Sequence, residues 1–228
     1  MQQKYTYSLI LLGSLSGPLV LSFDRKVAFV REWKNVLAAA LLPALIFIVW
    51  DAYFTKSGVW GFNKDHVLGI WLLGLPLEEI LFFLVVPFCC MFIYACIRSY
   101  FPLINRAKSF DRILIAVAFL LLTGALFWLN RDYTSWTAIL LALQIGAVYT
   151  FPGIFPGFRS DYFLISYSIM LIPFLVVNGL LTAIPVVVYN AAENLDIRIY
   201  TIPVEDVFYG MLLVLMNVLI YERLRNSA

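Results

Sequence analysis

Leu75-Pro76-Leu77-Glu78-Glu79-Ile80-Leu81-Phe82-Phe83 recurs near the other end of the chain as Ile202-Pro203-Val204-Glu205-Asp206-Val207-Phe208-Tyr209. Each copy is a proline, one aliphatic residue, two adjacent carboxylates and an aromatic pair, heading a long apolar run. The match extends upstream. Leu68 to Glu79 aligns with Leu195 to Asp206 on the proline, and Ile48-Val49-Trp50-Asp51 resembles Val187-Val188-Tyr189-Asn190. Carboxylates at the mouth of an apolar helix are costly, and intramembrane acids are functional candidates by default. Two such pairs in matching settings predict one duplicated unit with a shared site.

The bulk composition agrees with a membrane setting. The chain has 228 residues, 63% hydrophobic and 13% charged, with a mean hydropathy of +0.90. Soluble domains carry about 25% charged residues. Several apolar runs approach the roughly 20 residues that a helix needs to cross a bilayer. The first run is not read as a signal peptide, because only Lys4 precedes it and no small-x-small site closes it. A net charge of +2 gives no argument for nucleic acid. Cys89, Cys90 and Cys96 fall within one apolar run without a CxxC spacing, so they read as packing residues and no metal site is expected. The lone His66 sits in a loop beside Asp65.

Seven spans account for the hydropathy: 5–23, 35–54, 76–97, 112–129, 134–151, 162–189 and 203–221. The first carries Gly13-x-x-x-Gly17, a face suited to close helix contact. Basic residues with interleaved apolar ones between spans 1 and 2 (24–34) suggest an interfacial segment. Pro173, Asn178-Gly179 and Pro185 predict a kink or break in the long sixth span. The expected fold class is all-α: a polytopic membrane protein of about seven helices, built as two parallel three-helix repeats joined by a connecting helix. Residues 1–105 form the first repeat, 106–131 the connector and 132–228 the second. Parallel repeats are related by an axis along the membrane normal, so both acid pairs come to one side.

Orientation follows the basic residues. Arg25, Lys26, Arg31, Lys34, Arg98, Arg106, Lys108, Arg112, Arg159, Arg223 and Arg225 fall on one side, and Lys4, Lys56, Lys64, Arg131 and Arg198 on the other. The expectation is a multi-pass protein of the cell (inner) membrane, amino terminus outside and carboxy terminus cytoplasmic.

Five acids lie at or inside span ends: Asp51, Glu78, Glu79, Glu205 and Asp206. Proline at the first helical position followed by acids is also an ordinary helix start. Against that reading stand the duplication and the absence of neighbouring lysines or arginines. Span 7 has only fifteen residues from Val207 to Tyr221, short for a ~30 Å core at 1.5 Å per residue. Its helix should therefore extend back through Asp206 and Glu205. Adjacent helical residues point about 100° apart, so one acid of each pair can face the repeat interface. Trp50, Tyr53, Trp60, Trp71, Phe82, Phe83, Tyr189, Tyr200, Phe208 and Tyr209 crowd the same level. That is an aromatic belt, and it is also what carbocation chemistry needs: an acid to protonate an alkene and π faces to stabilise the cation.

Trp50-Asp51, the Gly58-Val59-Trp60-Gly61-Phe62-Asn63 loop, Pro76-Leu77-Glu78-Glu79 with Phe82-Phe83, Tyr189-Asn190 and Pro203-Val204-Glu205-Asp206 together resemble the membrane-integral lycopene cyclases. That is the class without a flavin-binding domain, found as two small subunits or as their fusion, and this chain looks like the fused form. The resemblance implies lycopene β-cyclase activity, in which a ψ-end group is protonated, closes to a six-membered ring and loses a proton to give a β-ring. No net redox change occurs and no cofactor is implied, consistent with the lack of a Gly-x-Gly-x-x-Gly fingerprint. It implies Glu78 and Glu205 as proton donor and acceptor, with Glu79 and Asp206 as second candidates. Asp51, Tyr189, Asn190 and Arg198 support them, and Trp50, Trp71, Phe82, Phe83, Phe208 and Tyr209 line the substrate. The implied partners are lycopene taken from the bilayer and the lipid membrane itself; a homo-oligomer is left open.

Two rivals belong to other classes. Parallel repeats with paired acids also suit a proton-coupled transporter of a small apolar or amphipathic solute, although spans 3 and 7 are rich in Leu, Phe, Val and Met rather than polar residues. A scaffold subunit without activity is the other. A retinal protein is excluded because span 7 has no lysine for a Schiff base, and a polyprenyl transferase because no Asp-Asp-x-x-Asp cluster exists.

Overall fold

A computed structural model describes residues 2–101 and 108–227. Among them are seven α-helices: α1 (Thr6–Leu21), α2 (Trp33–Ser57), α3 (Leu77–Tyr100), α4 (Lys108–Ala125), α5 (Asp132–Thr150), α6 (Ser160–Ala183) and α7 (Glu205–Ser227). The protein is a predominantly helical membrane protein. The helix number matches the expected spans, but by length and composition four of the helices are long and apolar enough to cross a bilayer: α2 with its leading turn, α3, α6 and α7. The shortfall has local causes: α1 has 16 residues and α4 begins with Lys108, Asp111 and Arg112. Arg106 and the boundary expected at 105/106 lie outside the described residues.

Two helix ends differ from expectation. The sixth span was read to residue 189, yet α6 ends at Ala183 and runs unbroken through Pro173 and Asn178-Gly179. Its apolar continuation becomes strand β4 (Val187–Tyr189) because Pro185 cannot extend the helix ladder. At the start of the seventh, the helix does reach back over the carboxylates, to Glu205, while Pro203 belongs to a strand.

The same succession of elements occurs twice. In the first half α2 leads to β1 (Trp60–Phe62), a 3-10 turn at 64–66, the hairpin of β2 (Trp71–Leu72) and β3 (Leu75–Pro76), and then α3. In the second, α6 leads to β4, a 3-10 turn at 191–193, the hairpin of β5 (Arg198–Ile199) and β6 (Ile202–Pro203), and then α7. The first hairpin turns through Leu73 at φ 57° and Gly74 at φ 84°, the left-handed pair that a tight two-residue hairpin requires. Each hairpin is tied to its helix by a matching bond: Leu77 N donates to Ile70 O and Val204 N to Ile197 O, both at 2.9 Å.

These ribbons, too short to read from local sequence, join the halves. β1 pairs antiparallel with β4, Trp60 opposite Tyr189 and Phe62 opposite Val187. Beside the ladder, Asn63 N donates to Val186 O and Asn190 N to Val59 O, both at 2.9 Å. Reciprocal contacts of this kind are what an approximate two-fold axis produces. They correct one detail of the expected alignment. Asn190 corresponds to Asn63, each capping its 3-10 turn through a side-chain bond to the amide two residues on. The counterpart of Asp51, six residues before the end of α2, is Asn178 on α6.

α7 lies at the centre, with Leu212, Leu213, Val214 and Leu215 in a row all buried, as expected of a helix that is apolar all round and enclosed by others. α2 and α3 pack on it from one side and α5 from another, while α4 lies outside α5. At the end remote from the ribbons, Glu222 is 1% exposed. Just past the seventh span read from sequence, it accepts from Tyr94 at 2.8 Å and pairs with Arg98. A buried carboxylate is tolerated only when paired and hydrogen-bonded in this way.

Candidate active site

Both carboxylate pairs sit in the first turn of their helices at the ribbon end, and all four side chains are buried. Within each pair the two acids do different jobs, and the division is the same in both halves. Glu78 Oε1 accepts from Ser8 Oγ at 3.1 Å and from the Leu68 amide at 2.7 Å. Glu205 Oε1 accepts from Thr134 Oγ1 at 2.6 Å and from the Leu195 amide at 2.7 Å. Each first acid thus reaches back ten residues to hold the start of its own hairpin and ties it to the neighbouring helix, α1 or α5. The backbone just past each clamped amide is left-handed, Gly69 at φ 88° and Asp196 at φ 58°. The other oxygens, Glu78 Oε2 and Glu205 Oε2, have no hydrogen-bond partner among the described residues.

The second acids point inward. Glu79 Oε2 accepts from the Tyr7 hydroxyl at 2.6 Å. Asp206 Oδ1 accepts from the Tyr133 hydroxyl, and its Oδ2 from Tyr189 Oη at 2.9 Å and Asn178 Nδ2 at 3.3 Å. Tyr7 and Tyr133 are the second residues of α1 and α5, so these tyrosines correspond. Asp51, 2% exposed, accepts from Trp60 Nε1, and its Oδ2 has no partner among the described residues. Glu79 lies close enough to Asp206 and to Asp51 for their charges to interact.

Glu79, Asp206 and Asp51 line one cavity of about 230 Å³. Tyr7, Trp60, Tyr133, Tyr189, Asn178 and Tyr209 share its polar end, and apolar residues of α3, α6 and α7 extend it. The aromatic wall is continuous: Trp60 stands 5.0 Å from Tyr133 and 6.0 Å from both Tyr189 and Tyr209, edge to face, the preferred arrangement for aromatic pairs. The Tyr209 hydroxyl has no hydrogen-bond partner among the described residues. Burial pushes the Tyr189 phenol up from its ordinary range, and the nearby Asp206 charge adds to the rise. Tyr189 therefore stays a donor to Asp206.

The remaining sequence candidates are dispersed. Phe82 and Tyr209 line the cavity. Phe83 is 1% exposed and packs on Phe47 at 5.8 Å, and Trp50 stacks behind Tyr209 at 5.1 Å. Phe208 lines a smaller space under α4 together with Glu205, and Trp71 sits on the first hairpin, 38% exposed. Asn190 caps its turn. Arg198 pairs with Asp196 at 3.4 Å and lies over the Tyr189 ring at 5.8 Å. His66 is buried on its 3-10 turn. Among the described residues no group of three or more His, Cys, Asp or Glu side chains is placed to hold a metal ion.

Sequence reasoning missed Tyr7, Tyr133 and Asn178, together with the serine and threonine that hold Glu78 and Glu205. A signal was present: Tyr7-Ser8 opens span 1 as Tyr133-Thr134 opens span 5.

Comparison with known proteins gives the chain a family. The sequence model of the family described as lycopene cyclase matches residues 4–97 and 130–224. Among curated proteins, the chain is similar to several bifunctional lycopene cyclase/phytoene synthases. That of Phycomyces blakesleeanus is 41% identical over 64 residues, 27% of this chain and 10% of the relative. Those of Phaeosphaeria nodorum and Aspergillus niger are 32% identical over 93 residues and 26% over 88, covering 40% and 36% of this chain and 14% and 15% of the relatives. The matched region is thus a small part of each relative. No solved structure matches the chain. With both of its matching stretches taken together spanning most of its length, the chain belongs to the lycopene cyclase family.

Proposed function

We propose that the chain is a lycopene β-cyclase that closes ψ-end groups to β-rings by acid–base chemistry within the cavity between its two halves. The observation that carries this reading is the meeting of Glu79 and Asp206, one from each copy of the motif, in a single cavity walled by aromatic rings. Protonation of the end-group double bond makes a tertiary cation. The neighbouring double bond of the same chain attacks it, forming the ring C–C bond and moving the positive charge. Loss of a proton restores a double bond. Atoms and electrons balance without an oxidant or reductant.

The hydrogen bonds favour particular roles. Asp206 accepts from three donors, which favours its anion and suits the proton acceptor. Glu79 accepts from Tyr7 alone among the described residues and suits the donor. Asp51, tied to Trp60, is the third carboxyl and is placed to resupply a proton. Trp60 and Tyr209 offer π faces to the cation. In this scheme Glu78 and Glu205 hold the hairpins rather than move protons, a division of labour favoured by their backbone clamps.

The same reading makes 1–105 and 132–228 the two repeats, with 106–131 as connector, and has all seven helices cross the membrane. Chain continuity supports seven crossings, because α4 returns from the end of α3 to the ribbon end where α5 begins. The basic residues support an outer position for that end, with the carboxy terminus cytoplasmic.

Expression in a lycopene-accumulating bacterial host tests the activity. The expected result is conversion of red lycopene to cyclic yellow-orange products, resolved by chromatography. Unchanged lycopene with the chain verified in the membrane would refute it and turn attention to a proton-coupled carrier.

A further inference from the structure

The cavity is longer than a ring-closing step requires. From the carboxylates it follows α3 through Phe82, Val86, Cys89 and Cys90 to Ile93. The fourteen helical steps from Glu79 to Ile93 correspond to about 21 Å of helix at 1.5 Å per residue. Opposite walls come from Met170 and Phe174 of α6 and from Leu213 and Val214 of α7. An apolar crevice ending in carboxyl groups fits a long apolar chain inserted by its tip.

The approximate two-fold relation provides a second crevice at the corresponding place, between α2, α3, α5 and α7. There the space is filled. Phe47, 0% exposed, packs on Phe83 at 5.8 Å and on Tyr209 at 5.0 Å, and Trp50 packs on Tyr209 at 5.1 Å. Phe174 corresponds to Phe47, but Gly210 stands where the first half has Phe83, and Val177 where it has Trp50. Tyr167, the counterpart of Ala40, takes back part of that volume. A β-carbon on Gly210 would sit 3.4 Å from both Phe174 and Tyr167, so anything larger must enter the crevice.

We propose that the open crevice admits a two-ended polyene by one terminus only, that Gly210 and Val177 keep it open, and that such a substrate is therefore cyclised one end per visit. This rests on the cyclase reading above. One terminus engages both inward carboxylates, and the other two acids of the repeated motif are committed to the hairpins, so the described residues hold no second acid–base pair for the far end. The singly cyclised product must leave, turn and re-enter by its unreacted end.

A chase experiment on the wild-type chain in membrane vesicles tests this. Isotopically labelled lycopene is supplied, and an excess of unlabelled lycopene follows before the second ring forms. The expected result is that the excess lycopene outcompetes the released intermediate, so that label stays in the monocyclic product and labelled dicyclic product stops accumulating. Labelled dicyclic product formed undiluted by the chase would overturn the proposal. Gly210→Leu and, independently, Val177→Phe should lower kcat/KM at least tenfold with helical circular dichroism unchanged. Both larger variants turning over at the wild-type rate would also overturn it. Absence of any cyclic product from the wild type would count against the cyclase reading instead. The crevice would then be judged by lycopene binding to the purified chain: one molecule per chain, weakened tenfold by Gly210→Leu, supports it, and two per chain or no weakening refutes it.

Discussion

In the first half Glu79 accepts a hydrogen bond from Tyr7, whereas in the second half its counterpart Asp206 accepts from Tyr133, Tyr189 and Asn178. Around these unequal acids the clamps on Glu78 and Glu205 are the same: a hydroxyl from the adjacent helix and the hairpin amide. Duplication preserved the scaffold and let the cavity diverge. Asn178 stands where the first half has Asp51, Gly210 where it has Phe83 and Val177 where it has Trp50. A symmetric pair of sites would give two identical acids facing each other. In the proposed reaction the asymmetry gives a single site, with one carboxyl to give a proton and another to take it.

The largest expected effects break the inward acids. Glu79→Gln and Asp206→Asn should each lower the cyclisation rate by about 10²–10⁴-fold, the range of general acid–base catalysis, with protein levels unchanged in the membrane. Next come the tyrosines. A hydrogen bond to a charged group contributes about 1.5–3 kcal/mol, so Tyr133→Phe should slow turnover by roughly 10–150-fold at about 1.4 kcal/mol per decade. Tyr7→Phe should slow it less, because its partner is the proton donor. Equal losses would mean that the two acids are equivalent. The clamps come third. Glu78→Ala and Glu205→Ala each leave a part-buried hairpin amide without its acceptor, at a cost of about 1–3 kcal/mol in stability, visible as a lowered denaturation temperature in detergent. The two shifts should agree, since the clamps match. Smallest is Arg198→Ala, which removes a partly exposed pair with Asp196 contributing about 0–1 kcal/mol and should leave activity within threefold.

Much of the site could be read in the sequence because carboxylates are rare in apolar runs, so their doubling after Pro76 and Pro203 stood out. Which acid of each pair faces inward could not be read. Neighbours 100° apart present two faces, and only the position of α1 and α5 decides between them. Asn178 read as a helix-kinking residue because its role depends on Asp206, 28 positions away. Local similarity of Tyr189-Asn190 to Trp50-Asp51 misaligned the copies. The true match, Asn190 with Asn63, is expressed in turns and cross-half ribbons of two or three residues, which exist only once the halves meet. Glu222 gave no sign of burial because its partners Tyr94 and Arg98 come from the far end of α3.

The central claim is that a carboxylic acid in this cavity hands a solvent-exchangeable proton to carbon. Cyclisation of lycopene by the purified chain in D2O tests it directly, with the product mass read by mass spectrometry. The expected result is one deuterium gained for each ring formed, and none gained by unreacted lycopene. Rings formed without deuterium would contradict it.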